Sequence, residues 1–127
     1  MPSAKAPAVS RSHQAAVLTK ATLKAAAQLG LTNKMLATVI GVSKATVSRM
    51  RSGDYALQPG QKPFELAVLF VRLYRSLDAI VGGDDAVAAS WLKNHNTAFN
   101  GEPLALIQTI SGLTNVVAYL DARRAIV

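Results

Sequence analysis

The segment FELAVLFVRLYRSLDAIV, residues 64–81, constrains the fold more than any other part of this sequence. Its apolar residues recur at helical spacing, and its polar residues form a narrow stripe that consists of Glu65, Arg72, Arg75, Ser76 and Asp78. A helix with so narrow a polar stripe must be covered around most of its circumference. We therefore expect this segment to be the central core helix, with one face left for a second subunit.

The rest of the sequence also favours helices, so the expected fold class is all-α. No stretch alternates polar and apolar residues as a half-buried strand does, and alanine, the strongest helix former, is frequent. Glycine, serine and proline punctuate the helical pattern at Gly30, Gly41, Gly53, Gly82-Gly83, Pro103 and Ser111-Gly112. The predicted helices lie at about 14–29, between Thr32 and Gly41, and at about 44–51, 64–81, 85–94, 103–110 and 113–124.

Composition divides the chain into an arm and two domains. Residues 1–12 include basic side chains but no apolar block, which predicts a flexible N-terminal arm rather than a signal peptide. The stretch ALQPGQKP, residues 56–63, holds two prolines and a glycine and so marks a boundary. The predicted domains are residues 13–57 and residues 58–127. No apolar run approaches the roughly 18 residues needed to span a bilayer, so no membrane partner is expected.

The excess positive charge lies in the first half of the chain. Residues 1–55 contain eight lysines and arginines against Asp54 alone, whereas residues 56–127 contain six basic and six acidic residues. A general solubility device would be spread over both halves. The concentration of charge therefore indicates a polyanionic partner for the first half, with phosphates as the attracting groups.

The stretch from Leu36 to Gly53 has the pattern of two short helices joined by a tight turn. Ala37 supplies the small contact between the helices, Gly41 the turn, and Val47 the apolar anchor under the second helix. The opposite side of that helix offers hydroxyl and cationic donors suited to bases and phosphates. A merely solvated amphipathic helix remains the alternative. The predicted DNA-binding residues are Asn33, Lys34, Ser43, Lys44, Ala45, Thr46, Ser48, Arg49, Arg51 and Ser52.

This stretch resembles the Cro/repressor-type, or Xre-type, helix-turn-helix family. The resemblance is carried by Leu36-Ala37, Gly41-Val42-Ser43, Val47-Ser48-Arg49 and Gly53. It implies binding to operator double-stranded DNA through the third helix. The family usually has glutamine where this chain has Asn33 and glutamate where it has Arg51, so a phosphate contact that Asn33 is too short to make would pass to Arg51.

The second half lacks the constellations that catalysis requires. His95 has no cysteine or second histidine nearby, and Asp84-Asp85 is better explained as helix capping than as an acid/base pair. No nucleophile elbow, Walker loop or dinucleotide fingerprint is present. We expect no enzyme activity, metal or cofactor, and we predict that this half binds protein.

Residues 65–122 are similar to the toxin-binding domain of the MbcA/ParS/Xre antitoxin family. The matching features are Arg72-Leu73, Leu77, Trp91-Leu92, Asn96, Gly101, Pro103-Leu104, Gly112, Val116, Val117 and Leu120. The resemblance implies an antitoxin that dimerises, covers the active site of an NAD-consuming RES-domain toxin with its C-terminal residues, and represses its own operon. The predicted toxin contacts are Trp91, Asn96, Tyr119, Arg123, Arg124, Ile126 and Val127.

Two alternatives stay open at this point. Trp91 lies one helical turn after Val87 and can instead be a core residue, and Arg123 and Arg124 can simply be solvated charges that complement a helix C-terminus. The whole chain can also be a stand-alone repressor whose C-terminal helices only dimerise or sense a ligand. Either function fits the cytoplasm of a bacterium, in association with the nucleoid, and the absence of cysteine suits a reducing compartment.

Overall fold

A computed structural model describes residues 8–126, and these residues form an all-α fold, as predicted. Apart from an isolated bridge between Asn96 and Gly101, the described residues form no β-structure. The helices are α1 (Ala8–Leu29), α2 (Asn33–Ile40), α3 (Lys44–Ser52), α4 (Lys62–Ile80), α5 (Asp85–Lys93), α6 (Pro103–Leu106) and α7 (Ile110–Ile126).

Helix α4 is the central helix of the fold, which confirms the prediction from its apolar sequence. It packs against α1, α2, α5 and α7, and its side chains Phe70, Leu73 and Leu77 are fully buried. Its exposed residues follow a single stripe through Lys62, Glu65, Val68, Arg72, Arg75 and Ala79. The predicted polar stripe was wrong at Ser76, which is fully buried because its hydroxyl donates to Asp121 on α7.

Helix α1 begins at Ala8, so residues 8–12 are helical rather than part of the predicted arm. No proline or glycine occurs between residues 8 and 29, and the alanines there have high helix propensity, so nothing stops the helix at Gln14. The remaining arm residues, 1–7, lie outside the described residues. The end of α1 is as predicted: Gly30 has a φ of +73°, and the Leu31 N–H donates to the Ala26 carbonyl.

The junction of α6 and α7 differs from the prediction. Helix α6 ends at Leu106 instead of continuing to residue 110, and Ser111-Gly112 lies in the first turn of α7 instead of separating two helices. Gly112 is needed there for space: a Cβ atom would lie 1.8 Å from the Leu106 carbonyl oxygen. The glycine therefore permits close contact with α6 rather than ending a helix.

The two halves of the chain share one core. Helix α1 packs on both α4 and α5, and the buried Thr19 hydroxyl accepts the backbone N–H of Leu57 at 2.8 Å. That bond fastens the proline- and glycine-rich connection to α1. No helix in the described residues has the length and apolarity that a bilayer crossing requires.

Candidate functional site

Local capping holds the third helix in its position relative to the second. The Thr32 hydroxyl caps α2 by accepting the Met35 N–H, and Gly41 ends it with a φ of +74°. Ser43 then caps α3, its hydroxyl accepting the Thr46 N–H at 3.0 Å. A Cβ at Gly41 would meet Leu66 at an ordinary 3.5 Å, so the left-handed backbone, and not crowding, requires glycine at the turn.

The predicted recognition face is exposed along α3. Val47 and Met50 are buried beneath the helix, and Ala37, on α2, is buried as well. Thr46 is half-buried. The exposed residues of this face are Ser43, Lys44, Ala45, Ser48, Arg49, Arg51 and Ser52.

Hydrogen bonds organise the polar groups at the start of α3. The Thr46 hydroxyl lies 2.9 Å from the Ser43 hydroxyl and accepts from the Arg49 guanidinium at 3.0 Å. Arg49 is thereby held along the exposed face while its remaining N–H groups stay available as donors. The Ser48 hydroxyl donates to the Lys44 carbonyl at 3.3 Å, which leaves its oxygen able to accept. The arrangement presents a chain of donors and acceptors to a partner.

At the other end of α3 an acidic residue counters the positive charge. The Ser52 hydroxyl lies 3.0 Å from the Asp54 carboxylate and 3.1 Å from the Arg49 carbonyl oxygen. Its single hydroxyl proton is shared by these two acceptors inside the chain, so the Ser52 hydroxyl has no free proton to donate to a phosphate. Of the predicted contacts on α3, Ser52 is the one that the structure favours least.

Asn33 and Arg51, the two departures from the helix-turn-helix family pattern, are partners in the structure. The Arg51 Nε donates to the Asn33 side-chain oxygen at 2.6 Å, which links the start of α2 to the end of α3. The Asn33 amide keeps its own N–H donors, and Lys34 beside it is exposed.

Lys20, on α1, lines a cleft of about 390 Å³ together with Arg51. Lys20 is not among the predicted site residues, although its place in the basic half was a signal for it.

A second candidate surface is an aromatic cluster formed by Trp91, Phe99 and Tyr119. The Phe99 and Tyr119 ring centroids are 4.8 Å apart, and the Trp91 ring lies 6.2 Å from Phe99 and 6.4 Å from Tyr119. All three side chains are half-buried. The Arg123 guanidinium carbon lies 5.5 Å from the centre of the Tyr119 ring, within range of a cation–π contact. The cluster brings together three predicted toxin contacts, Trp91, Tyr119 and Arg123.

Sequence reasoning missed Phe99, and its argument for the orientation of Trp91 was wrong. Val87 is 48% exposed, so the core-facing side of α5 is defined by Ala88 and Leu92, and spacing from Val87 does not direct Trp91 into the core. Trp91 is nevertheless half-buried and packs against the core, which agrees with the alternative that it is a core residue. An aromatic residue inside the polar loop HNTAFNGE was the available signal for Phe99. Asn96 shapes that loop, because its side-chain oxygen accepts the Ala98 N–H at 2.9 Å.

The remaining C-terminal candidates are not part of the aromatic cluster. Arg124 lies on another face of α7, where its guanidinium is 3.5 Å from the Ser76 hydroxyl. Ser76 and Arg72 both bind Asp121, at 2.8 and 2.6 Å, so Arg124 joins a polar network between α4 and α7. Ile126 is 83% exposed. Val127 lies outside the described residues.

The adjacent acidic residues Asp84 and Asp85 have structural partners. Asp84 caps α5 by accepting the Val87 N–H at 3.2 Å, and Asp85 accepts the Tyr74 hydroxyl at 3.3 Å. Burial, with the nearby carboxylates of Asp78 and Asp85, raises the pKa of Tyr74. The described residues contain no group of histidine, cysteine and acidic side chains able to hold a metal ion.

Comparison with protein families gives two matches that together span nearly all of the described chain. Residues 10–72 match the helix-turn-helix domain of Xre-like antitoxins. Residues 76–125 match the C-terminal toxin-binding domain of Xre/MbcA/ParS antitoxins. A comparison with curated proteins gives no significant match. The two matches confirm the resemblance seen in the sequence.

Proposed function

Since this chain belongs to the Xre/MbcA/ParS antitoxins, we propose that it neutralises a RES-domain, NAD-consuming toxin and represses its own operon. Members of this family bind other molecules and regulate them without catalysing a reaction, so the chain is a non-catalytic antitoxin. The observation that carries the proposal is the separation of two surfaces: an exposed, basic, hydrogen-bonded face on α3, and a half-buried aromatic cluster with the exposed Arg123 on α7. Both tasks belong in the bacterial cytoplasm, where operator and toxin are found.

The operator is bound by α3, whose N-terminal residues approach the major groove. Lys44 and Arg49 are the contacts with most to contribute, because each carries a charge and is exposed. Ser43 and Ser48 supply hydroxyls to phosphates or base edges, and Ala45 supplies a methyl group for thymine. Helix-turn-helix proteins of this type read two half-sites as dimers, so the antitoxin acts as a homodimer.

Operator binding is tested with the double variant Lys44→Ala/Arg49→Ala. Each lost base contact should cost about 1–3 kcal/mol, and the salt dependence of binding should become shallower. The matched control is Lys62→Ala/Lys93→Ala, which removes the same charge from exposed lysines in the other half of the chain. Fluorescence anisotropy with the promoter duplex at several salt concentrations measures both. Equal losses in the two variants would contradict a role for α3 and indicate non-specific attraction.

The toxin is bound by the aromatic cluster and the C-terminal turns of α7. Arg123 stands over Tyr119 and is exposed, so it can pair with carboxylates around a pocket that recognises a dinucleotide. Trp91 and Phe99 support Tyr119 from the side of α5 and the following loop.

Toxin neutralisation is tested by co-expression with the RES-domain protein encoded by a neighbouring gene. Arg123→Glu should restore toxicity, seen as arrested growth and falling cellular NAD⁺, while operator binding is retained. Arg124→Glu is the comparison, because that side chain lies on a different face of α7. If Arg123→Glu and removal of residues 123–127 both leave neutralisation intact and impair only DNA binding, the stand-alone repressor is the correct function.

A further inference from the structure

Helices α1, α4 and the end of α7 line an open groove of about 590 Å³, a size typical of small-molecule sites. Its floor is apolar and includes Val17 and Val68, which are 52% and 44% exposed. The described residues include five large apolar side chains with high exposure, and two of them meet here. The groove therefore presents apolar surface that the described chain leaves uncovered.

The polar rim of the groove carries positive charge. Arg72 and Arg75 line it from α4 and Arg124 from α7, and none of the acidic side chains in the described chain lines it with them. These are three of the four arginines in residues 56–127, a half of the chain with equal numbers of basic and acidic residues. Charge in this half is therefore sorted, and its arginines are concentrated at one apolar groove.

The partners of these arginines inside the chain neutralise them only in part. Asp121 binds Arg72 at 2.6 Å and accepts the Ser76 hydroxyl at 2.8 Å. Arg124 contacts the same Ser76 hydroxyl at 3.5 Å, and Arg75 forms no ion pair with any described residue. One carboxylate thus faces three guanidinium groups, which leaves an excess of positive charge at this end of the groove.

Arg75 is the guanidinium with most to offer a ligand. It is exposed, and Asp78, three residues later on α4, lines a neighbouring crevice beside Tyr74 and not the groove itself. An arginine without a partner presents a planar fork of N–H donors, which binds one carboxylate through two parallel hydrogen bonds. The unmet charge in the groove therefore matches a single carboxylate.

The wall that α4 contributes is apolar at one end and cationic at the other. Its lining residues follow in the order Phe64, Val68, Val71, Arg72 and Arg75, and the first and last are about 16 Å apart along the helix axis. A molecule that fits this order has an apolar chain or ring at one end and a negative group at the other. An uncharged molecule would leave the arginines unpaired, and a purely ionic one would leave the valines in water.

We propose that the groove binds a small amphipathic carboxylate, with its apolar body over Val17 and Val68 and its carboxylate against the Arg75 guanidinium. The volume of the groove matches a molecule of metabolite size, and the charge of the rim matches an anion. The site is separate from both surfaces of the proposed function, because none of its lining residues belongs to the α3 face or to the aromatic cluster.

Isothermal titration calorimetry of the full-length protein with decanoate, below its micelle concentration, tests the proposal. A molecule of this size, bound with ordinary efficiency, should have a Kd of about 1 mM or below. Acetate has the charge without the chain, and decyltrimethylammonium has the chain with the opposite charge, so each should bind at least about 10-fold more weakly. A protein that binds no decanoate, or binds decyltrimethylammonium equally well, would overturn the proposal.

Two variants with matched controls locate the binding site. Arg75→Glu should weaken decanoate binding at least about 10-fold, whereas Lys93→Glu, with the same charge change at an exposed site on α5, should not. Val68→Trp should fill the groove and block binding without a change in charge, and Val87→Trp, at a similarly exposed valine on α5, is its control. Circular dichroism confirms that all four variants fold. Equal effects of a variant and its control would place the ligand elsewhere and refute the assignment.

Light scattering and toxin co-purification distinguish the small molecule from a protein occupant. Val68→Trp should leave both the mass of the protein and its capture of the toxin unchanged. If it instead lowers the mass or abolishes toxin capture, the groove is a contact with a second copy or with the toxin, and the proposal is wrong. The antitoxin function is tested separately through α3 and Arg123, so it stands or fails independently of this groove.

Discussion

Replacing Gly112 by alanine should destabilise the protein, although the substitution lies in a helix. Helix propensity alone favours alanine over glycine by about 1 kcal/mol. The new methyl group, however, would stand 1.8 Å from the Leu106 carbonyl oxygen, 2.7 Å from the Leu106 carbonyl carbon and 2.9 Å from the Thr109 hydroxyl. Two of these atoms are backbone, so no side-chain rotation relieves the contact, and α6 or the start of α7 must shift by about an ångström or more.

The steric cost should exceed the gain in propensity. Overpacking a rigid site typically costs 1–3 kcal/mol, and a clash with backbone belongs at the upper end. After the gain from helix propensity is subtracted, the free energy of unfolding should fall by about 2 kcal/mol. In a domain of this size the midpoint of thermal unfolding should then fall by about 5–10 °C. The displaced turn begins the helix that carries Tyr119 and Arg123. A shift there should therefore also weaken the toxin neutralisation proposed above.

Urea and thermal unfolding followed by circular dichroism at 222 nm measure this effect. The control is Gly101→Ala, because the nearest atoms to a Cβ there are 4.0 Å away and the backbone is not left-handed. That variant should change stability by less than about 0.5 kcal/mol, or raise it slightly. A Gly112→Ala protein as stable as the wild type would refute the reasoning, since propensity would then outweigh the contact with Leu106.

Two further changes test the junctions around α1 and α4. Thr19→Val should lower the free energy of unfolding by about 1–3 kcal/mol, because the buried Leu57 N–H loses its acceptor. Thr38→Val, which removes an exposed hydroxyl bonded to the Lys34 carbonyl, is the control, and equal effects would contradict the argument. The raised pKa of Tyr74 gives a stability contribution that is present below pH 10 and declines as the pH rises through its folded-state pKa. Tyr74→Phe should therefore reduce the loss of stability as the pH rises above about 10 in urea unfolding, and an unchanged slope would count against the shift.

The helix-turn-helix was predictable almost residue by residue. Gly41 forms the turn that its position predicted, with a left-handed backbone, and Thr32 and Ser43 cap α2 and α3 on either side of it. These features depend on contacts between residues three or four apart, which sequence spacing reports directly. The family resemblance was recognisable from the sequence for the same reason: its glycines and capping residues recur at fixed intervals. Which of the exposed side chains meet DNA stays a prediction.

Long-range contacts were the ones that sequence reasoning missed. Ser76 looked like part of a solvated stripe, but it is buried because Asp121, 45 residues away, accepts its hydroxyl. Gly112 looked like a helix break, but its role is to admit the Leu106 carbonyl. Phe99 looked like a loop residue, but it packs against Tyr119. No periodicity within one segment carries information about such partners.

The order of residues along the chain was enough to establish the helical class, the placement of excess positive charge in the first 55 residues and the capped turn before α3. Those properties arise from backbone preference and from neighbours within one or two turns. Packing between helices decided the rest. It brings Asn33 within hydrogen-bond distance of Arg51, and it places Arg123 and Arg124 on different faces of α7. It also brings Val17 and Val68 together in one groove. Such contacts depend on the angles at which the helices cross, and those angles are set by the packing of all the core side chains together.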